Sequence, residues 1–211
     1  MRLFQNHMAY QHHVFISYKS KSREWLLKVF MPPFQHFLEE EIGSHCKVFV
    51  DWHDIQTGDA WRPRLHQGLA HSHCLIALLL PAYFESDWCT KEFAVFEHRS
   101  RVNGMLSDDD PSSLIIPVAL HAATRFPDAV KDGFQVNLSL QRFYTTNSKG
   151  FKRRKDYPDF EHEIKRLAEM VAEKVKRLPN WDPRWKEAEW IERPVNHLKI
   201  NPQPLPQPLL L

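Results

Sequence analysis

The stretch SDWCTKEF, Ser86 to Phe93, brings a serine, a tryptophan, a cysteine and a glutamate together just after the apolar run CLIALLL, Cys74 to Leu80. That run reads as a buried strand, so Glu92 falls one turn into a helix at the mouth of a sheet. A carboxylate placed there has two uses. Solvated, it is favoured by the positive end of the helix dipole. Shielded from water, it stabilises positive charge that develops on a substrate. Cys89 sits where a helix N-terminus can activate a thiol, but no His or Asn can be assigned beside it, so a small packing residue is the expectation. Trp88 is expected to form the floor of the site and pack the helix start. Ser86 can cap that helix or meet a ligand hydroxyl.

Other chemistries find less support. The pairs His12-His13 and His71-Ser72-His73 lack carboxylates or cysteines at ligand spacing, so no metal site is expected and the histidines read as solvated surface. No GxGxxG and no GxxxxGK[ST] occurs, which removes the dinucleotide fingerprint and the P-loop. Three cysteines, Cys46, Cys74 and Cys89, have no CxxC spacing and fit a reducing cytoplasm better than a disulfide framework. The formal net charge of +2 gives no case for direct nucleic-acid binding. The basic run KGFKRRKD, Lys149 to Asp156, reads as a solvated loop, with a phosphate-rich partner as the alternative. No apolar run reaches the roughly 18 residues that span a bilayer, and the N-terminus is too polar for a signal peptide.

The elements that must position these residues alternate. HVFISY (His13 to Tyr18), KVFVD (Lys47 to Asp51), CLIALLL and SLIIPVAL read as strands, with LQRFYTT as a weak fifth. Pro117 predicts an edge or a bulge for the fourth. Between them lie helical patterns: one with Trp25, Leu26, Val29 and Phe30 on a stripe, which Pro32 and Pro33 should bend or break before Gly43 ends it, one over RPRLHQGLAHS, and one over CTKEFAVFEHRS. DFEHEIKRLAEMVAEKVKRL closes the series. Strands alternating with helices predict a flavodoxin-like, doubly wound α/β fold, an about five-stranded parallel sheet with helices on both faces. Residues 1–12 read as an N-terminal extension, 13–178 as the domain, and 179–211 as a Trp- and Pro-rich C-terminal extension or a linker to a further domain. In such a sheet ligands bind beyond the carboxyl ends of the strands. Ser17, Tyr18 and Lys19, the segment from Asp51 to Trp61, the segment from Pro81 to Glu92 and the loop after Leu120 lie there.

HVFISYKSKS, VFVDWHDIQTGDAW and SHCLIALLLPAYFESDWCTKEF, in that order, resemble a Toll/interleukin-1 receptor (TIR) domain of the prokaryotic kind. The resemblance covers His13 to Tyr144, with Asp159 to Leu178 as the last helix. It implies that Asp51 to Trp61 is the BB loop, which mediates self-association with other TIR domains. It also implies an NAD+ glycohydrolase, in which the glutamate of the helix after the third strand cleaves the nicotinamide–ribose bond. That glutamate aligns with Glu92, and the serine six residues before it with Ser86. Ser17, Tyr18, Lys19, Asp51, Asp54, Trp61, Ser86 and Trp88 are the expected contacts to NAD+, which is substrate rather than cofactor. The segment SYKSKSREW departs from the family in lacking an aspartate and carrying two lysines.

The implied chemistry suits a single carboxylate. Breaking the N-glycosidic bond builds oxocarbenium-like charge on the ribose, and nicotinamide leaves as a neutral base, so no general acid is obligatory. The product is ADP-ribose or a cyclic form of it, and the setting implied is prokaryotic immune defence in the cytoplasm, with a sensor domain or partner protein reached through the C-terminal extension. The alternative is a non-enzymatic TIR–TIR adaptor; a more distant one is a nucleoside hydrolase of similar topology.

Overall fold

A computed structural model describes residues 10–43, 45–50, 61–145, 148–177, 179–187 and 195–199. The apolar runs form β1 (His12–Tyr18), β2 (Val48–Val50), β3 (Ser72–Leu79), β4 (Ile115–Ala119) and β5 (Leu138–Ser139). Every pairing is parallel and the order is β2-β1-β3-β4-β5. The winding direction therefore reverses between β1 and β3, which is the switch point of the sheet. β3 lies at the centre with all of its residues buried, as its unbroken apolar sequence requires.

Side chains alternate across this sheet and divide the core into two layers. Val14, Ile16 and Tyr18 of β1, with Cys74, Ile76 and Leu78 of β3, face the first layer. Phe15 of β1 and Leu75, Ala77 and Leu79 of β3 face the second. The first layer is closed by α1 (Met31–Ile42) and the long α5 (Tyr157–Lys176), which supplies Phe160, Ile164, Leu167 and Val171. The second is closed by α2 (Trp61–His71), α3 (Asp87–Val102) and the short α4 (Asp128–Gly133). None of these helices is long and apolar enough to cross a membrane.

Three expectations change. Pro32 and Pro33 do not break the first helix. A π turn, Leu26–Phe30, precedes them and leads directly into α1, whose first turn takes the prolines. The wider turn and the N-terminal position accommodate rings that an α-helix interior rejects. The fifth strand is Leu138–Ser139, while Gln141–Phe143 of the expected LQRFYTT strand forms a 3-10 turn. Tertiary contacts outweigh the β propensity of Phe143 and Tyr144: Trp25 Nε1 donates to the Phe143 carbonyl at 3.0 Å and Ser22 Oγ meets Tyr144 Oη at 2.9 Å. Finally, β4 is an interior strand despite Pro117. The Leu120 amide donates to Leu79 on the β3 side, so by alternation the proline nitrogen faces the β5 side. Pairing with β5 begins only at Val118.

Residues 179–187 and 195–199 pack on the domain. Trp181 Nε1 donates to the Ala70 carbonyl at 2.9 Å, and Tyr10 Oη donates to the Pro179 carbonyl at 3.0 Å. His71 and His73, expected at the surface, are buried by this fold-back. His71 stacks on Trp181 with ring centroids 5.2 Å apart, and His73 meets Tyr10 edge-on at 4.3 Å. Arg99, fully buried on α3, donates to the carbonyls of Leu69 at 2.8 Å and Ser72 at 3.0 Å. Its guanidinium lies 4.0 Å from the Trp185 ring centroid and 4.6 Å from that of Phe96. Burial lowers its pKa to about 10, so it stays charged at neutral pH, supported by the Leu69 and Ser72 carbonyls and by aromatic faces.

Gly68 shows why α2 approaches the sheet so closely. A Cβ there would lie 2.6 Å from Phe49 Cζ, and that ring is stacked on Phe15 at 5.0 Å. Gly68→Ala should lower the urea-unfolding midpoint, because overpacking of about 1–3 kcal/mol outweighs a helix-propensity gain of about 1 kcal/mol. A raised midpoint would show that Phe49 swings aside.

His12 gives an acid-sensitive contribution. Burial lowers its pKa below the ordinary 6.5, and Lys47, His71, His13 and Arg64 add to the effect. The unfolded chain thus takes up the proton first, and stability present above about pH 6.5 is lost as pH falls through the folded value. His12→Gln should flatten the fall of the melting temperature between about pH 7 and pH 5; an unchanged slope would assign the loss to other groups.

Candidate active site

Glu92 lies in the second turn of α3, on the side turned toward β1. Its side chain has no exposed surface. Ser17 of β1, fully buried, donates to Glu92 Oε2 at 2.5 Å. Its placement follows from the strand's alternation. Tyr18 turns into the first core layer, so Ser17 must face the second, where α3 packs. Ser17 Oγ is also 2.7 Å from Tyr83 Oη. Tyr83 is carried by a helical turn, Pro81–Phe84, immediately after β3, and its ring is fully buried. The three residues meet at the carboxyl ends of β1 and β3, the switch point of the sheet.

The start of α3 is held mainly through its backbone. Ser86 has an extended conformation, φ −93 and ψ 116, and its side chain makes no capping bond. Its carbonyl instead accepts from the Thr90 amide at 3.0 Å and the Thr90 hydroxyl at 2.9 Å. Trp88 is half-buried, with Lys91 Nζ 5.0 Å and the Arg62 guanidinium 6.0 Å from its ring centroid. Cys89 is buried and donates through Sγ to the Tyr18 carbonyl at 3.5 Å. That bond ties α3 to the end of β1 and suits a packing role. On the outer face of α3, Lys199 Nζ lies 3.3 Å from Asp87 and His197 Nε2 lies 2.8 Å from Glu97. Val195 and Leu198 join the second core layer beneath.

Among the expected contacts, the structure brings Ser17 to Glu92 and places Ser86 and Trp88 at the helix start. Tyr18 is buried on the opposite face of β1 and Lys19 is half-buried at its end. Asp51 and Asp54 lie outside the described residues. Of Trp61 only its place at the start of α2 is described. Tyr83 was not foreseen. The available signal was a phenol three residues past a central strand, close enough in chain to hang over the strand beside it. Two cavities, of about 420 Å³ beside Lys28, Lys152 and Arg153 and about 570 Å³ between Leu114 and Lys174, lie away from Glu92.

A parallel sheet in this order, helices on both faces and a buried carboxylate at the switch point define a doubly wound α/β protein with its candidate site at the strand ends. The family model described as the TIR domain matches residues 14–153, about two thirds of the chain. The chain belongs to the TIR domain family. Among curated proteins none matches it. Among solved structures it is similar to the TIR domains of the activated Roq1 resistosome directly recognising the pathogen effector XopQ. The identity there is 13%, over 78% of this chain and 95% of that one, with a TM-score of 0.35. The fold assignment rests on strand order and the family match.

None of the three cysteines is in a disulfide and all are buried. Burial pushes the Cys46 thiol up to about 11 and that of Cys74 up to about 12. At pH 8 their thiolate fractions are on the order of one in a thousand to one in ten thousand. The native protein should therefore react slowly with a disulfide reagent and yield three thiols on denaturation. One fast thiol in the native state that disappears in Cys89→Ala would show that Cys89 is reachable and restore it as a nucleophile.

Proposed function

We propose that this TIR domain is an NAD+ glycohydrolase. The observation that supports the reading is a fully buried carboxylate, Glu92, hydrogen-bonded at the switch point where open α/β sheets take their ligands. In this reading the C1′–N bond breaks with its electron pair passing to the nicotinamide nitrogen. Glu92 stabilises the positive charge left on the ribose. Water then adds at C1′ and loses a proton, giving ADP-ribose, or an adenine nitrogen adds and the product is cyclic. No cofactor beyond the substrate is required. Ser86 and Trp88 at the helix start, with Lys19 at the end of β1, line the approach, and Asp51, Asp54 and Trp61 are the further contacts to NAD+ that the reading calls for.

Complete burial of Glu92 means that a ribose reaches it only after the site opens. Self-association through the segment from Asp51 to Trp61 is the step we assign to that opening, so turnover depends on assembly. Such a device suits cytoplasmic anti-phage defence in a prokaryote, where NAD+ must be spared until infection is sensed. The same burial favours a second reading, a TIR–TIR adaptor in which Glu92 serves only the fold.

NAD+ consumption measured at high protein concentration or with a crowding agent separates the two. Wild type should release nicotinamide, with turnover rising faster than linearly in protein concentration. Glu92→Gln, which keeps the shape of the side chain, should fall by about a hundredfold or more while melting cooperatively. Equal turnover by both proteins would remove Glu92 from the chemistry. Absence of turnover in the assembled wild type would leave the adaptor.

A further inference from the structure

We infer that Tyr83 and Ser17 form a directed hydroxyl relay that positions Glu92, so that Ser17 acts through the carboxylate and not by contact with NAD+. The inference rests on the glycohydrolase reading for its functional consequence, but the geometry stands on its own. Ser17 has one hydroxyl proton, and that proton is directed to Glu92 Oε2 at 2.5 Å. Facing Tyr83 Oη at 2.7 Å, Ser17 Oγ can then act only as acceptor. The order is fixed: Tyr83 donates to Ser17, and Ser17 donates to Glu92.

Two features make this more than a packing contact. All three side chains are fully buried, so water does not compete and each hydrogen bond polarises the next. The three residues also come from three separate segments: β1, the turn after β3, and α3. The relay therefore fixes the carboxylate relative to both strands that border the switch point. Ser17 gives its proton to Glu92 and accepts from Tyr83, so both hydroxyls are engaged within the relay, and we assign both as positioning residues. Their loss should lower kcat and leave KM nearly unchanged.

Ser17→Ala should reduce kcat for NAD+ cleavage by about tenfold to a hundredfold, the range for a hydrogen bond to a charged group. Tyr83→Phe, which removes only the phenol oxygen, should reduce it by about fivefold. KM should stay within about twofold in both. In the Ser17→Ala background Tyr83→Phe should change kcat no further, because its effect passes through the serine. A raised KM with unchanged kcat would overturn the relay and make Ser17 a substrate contact. Independent, multiplying effects would overturn it as well.

The same cycle read by urea unfolding needs no substrate. Ser17→Ala and Tyr83→Phe together should shift the midpoint by less than the sum of their separate shifts. Additive shifts overturn the relay. Coupled shifts with no turnover by wild type at any concentration overturn the enzymatic role and leave the three residues as a structural bracket, which distinguishes failure of the relay from failure of the proposed reaction.

Discussion

A carboxylate withdrawn from water must find hydrogen-bond donors or destabilise the fold, and the surroundings of Glu92 follow from that requirement. Beyond their first residues, β1 and β3 turn Phe15, Leu75, Ala77 and Leu79 toward the second core layer. Ser17 interrupts this surface at the one level where α3 presents Glu92. The turn after β3 must then be tight enough to bring Tyr83 back over Ser17, and Pro81 in its first position fixes the necessary backbone. The switch point is in this sense a polar inclusion that the surrounding hydrophobic layers are arranged to complete.

A fully buried guanidinium sits further along the same helix. Arg99 is two turns beyond Glu92 on α3 and has no carboxylate against it among the described residues; carbonyls and aromatic faces carry its charge. One helix thus bears a buried carboxyl group toward the carboxyl ends of the strands and a buried guanidinium toward their amino ends. Both groups are anchored to β-strand or α2 backbone and side chains rather than to each other. The position of α3 along the sheet is consequently set by polar contacts at two levels, while Phe93 and Phe96 between them supply the apolar burial.

Much of this was legible in the sequence because it depended on pattern. Unbroken apolar runs marked the strands, alternation with helical stripes gave the winding, and the motif around Glu92 located the site. What was not legible depended on contacts between distant segments. Nothing local to Ser17 says that its hydroxyl serves Glu92 rather than a ligand; that follows from which way Tyr18 turns. LQRFYTT has the composition of a strand, yet Phe143 is drawn into a turn by Trp25 from the first helical segment. The histidines at 71 and 73 read as surface because their cover, Trp181 and Tyr10, comes from chain ends far away in sequence.

The segment 195–199 clasps the outer face of α3 at both ends of one stretch, through Lys199 to Asp87 and His197 to Glu97. The helix that carries Glu92 is thus covered on one side by chain about a hundred residues away in sequence.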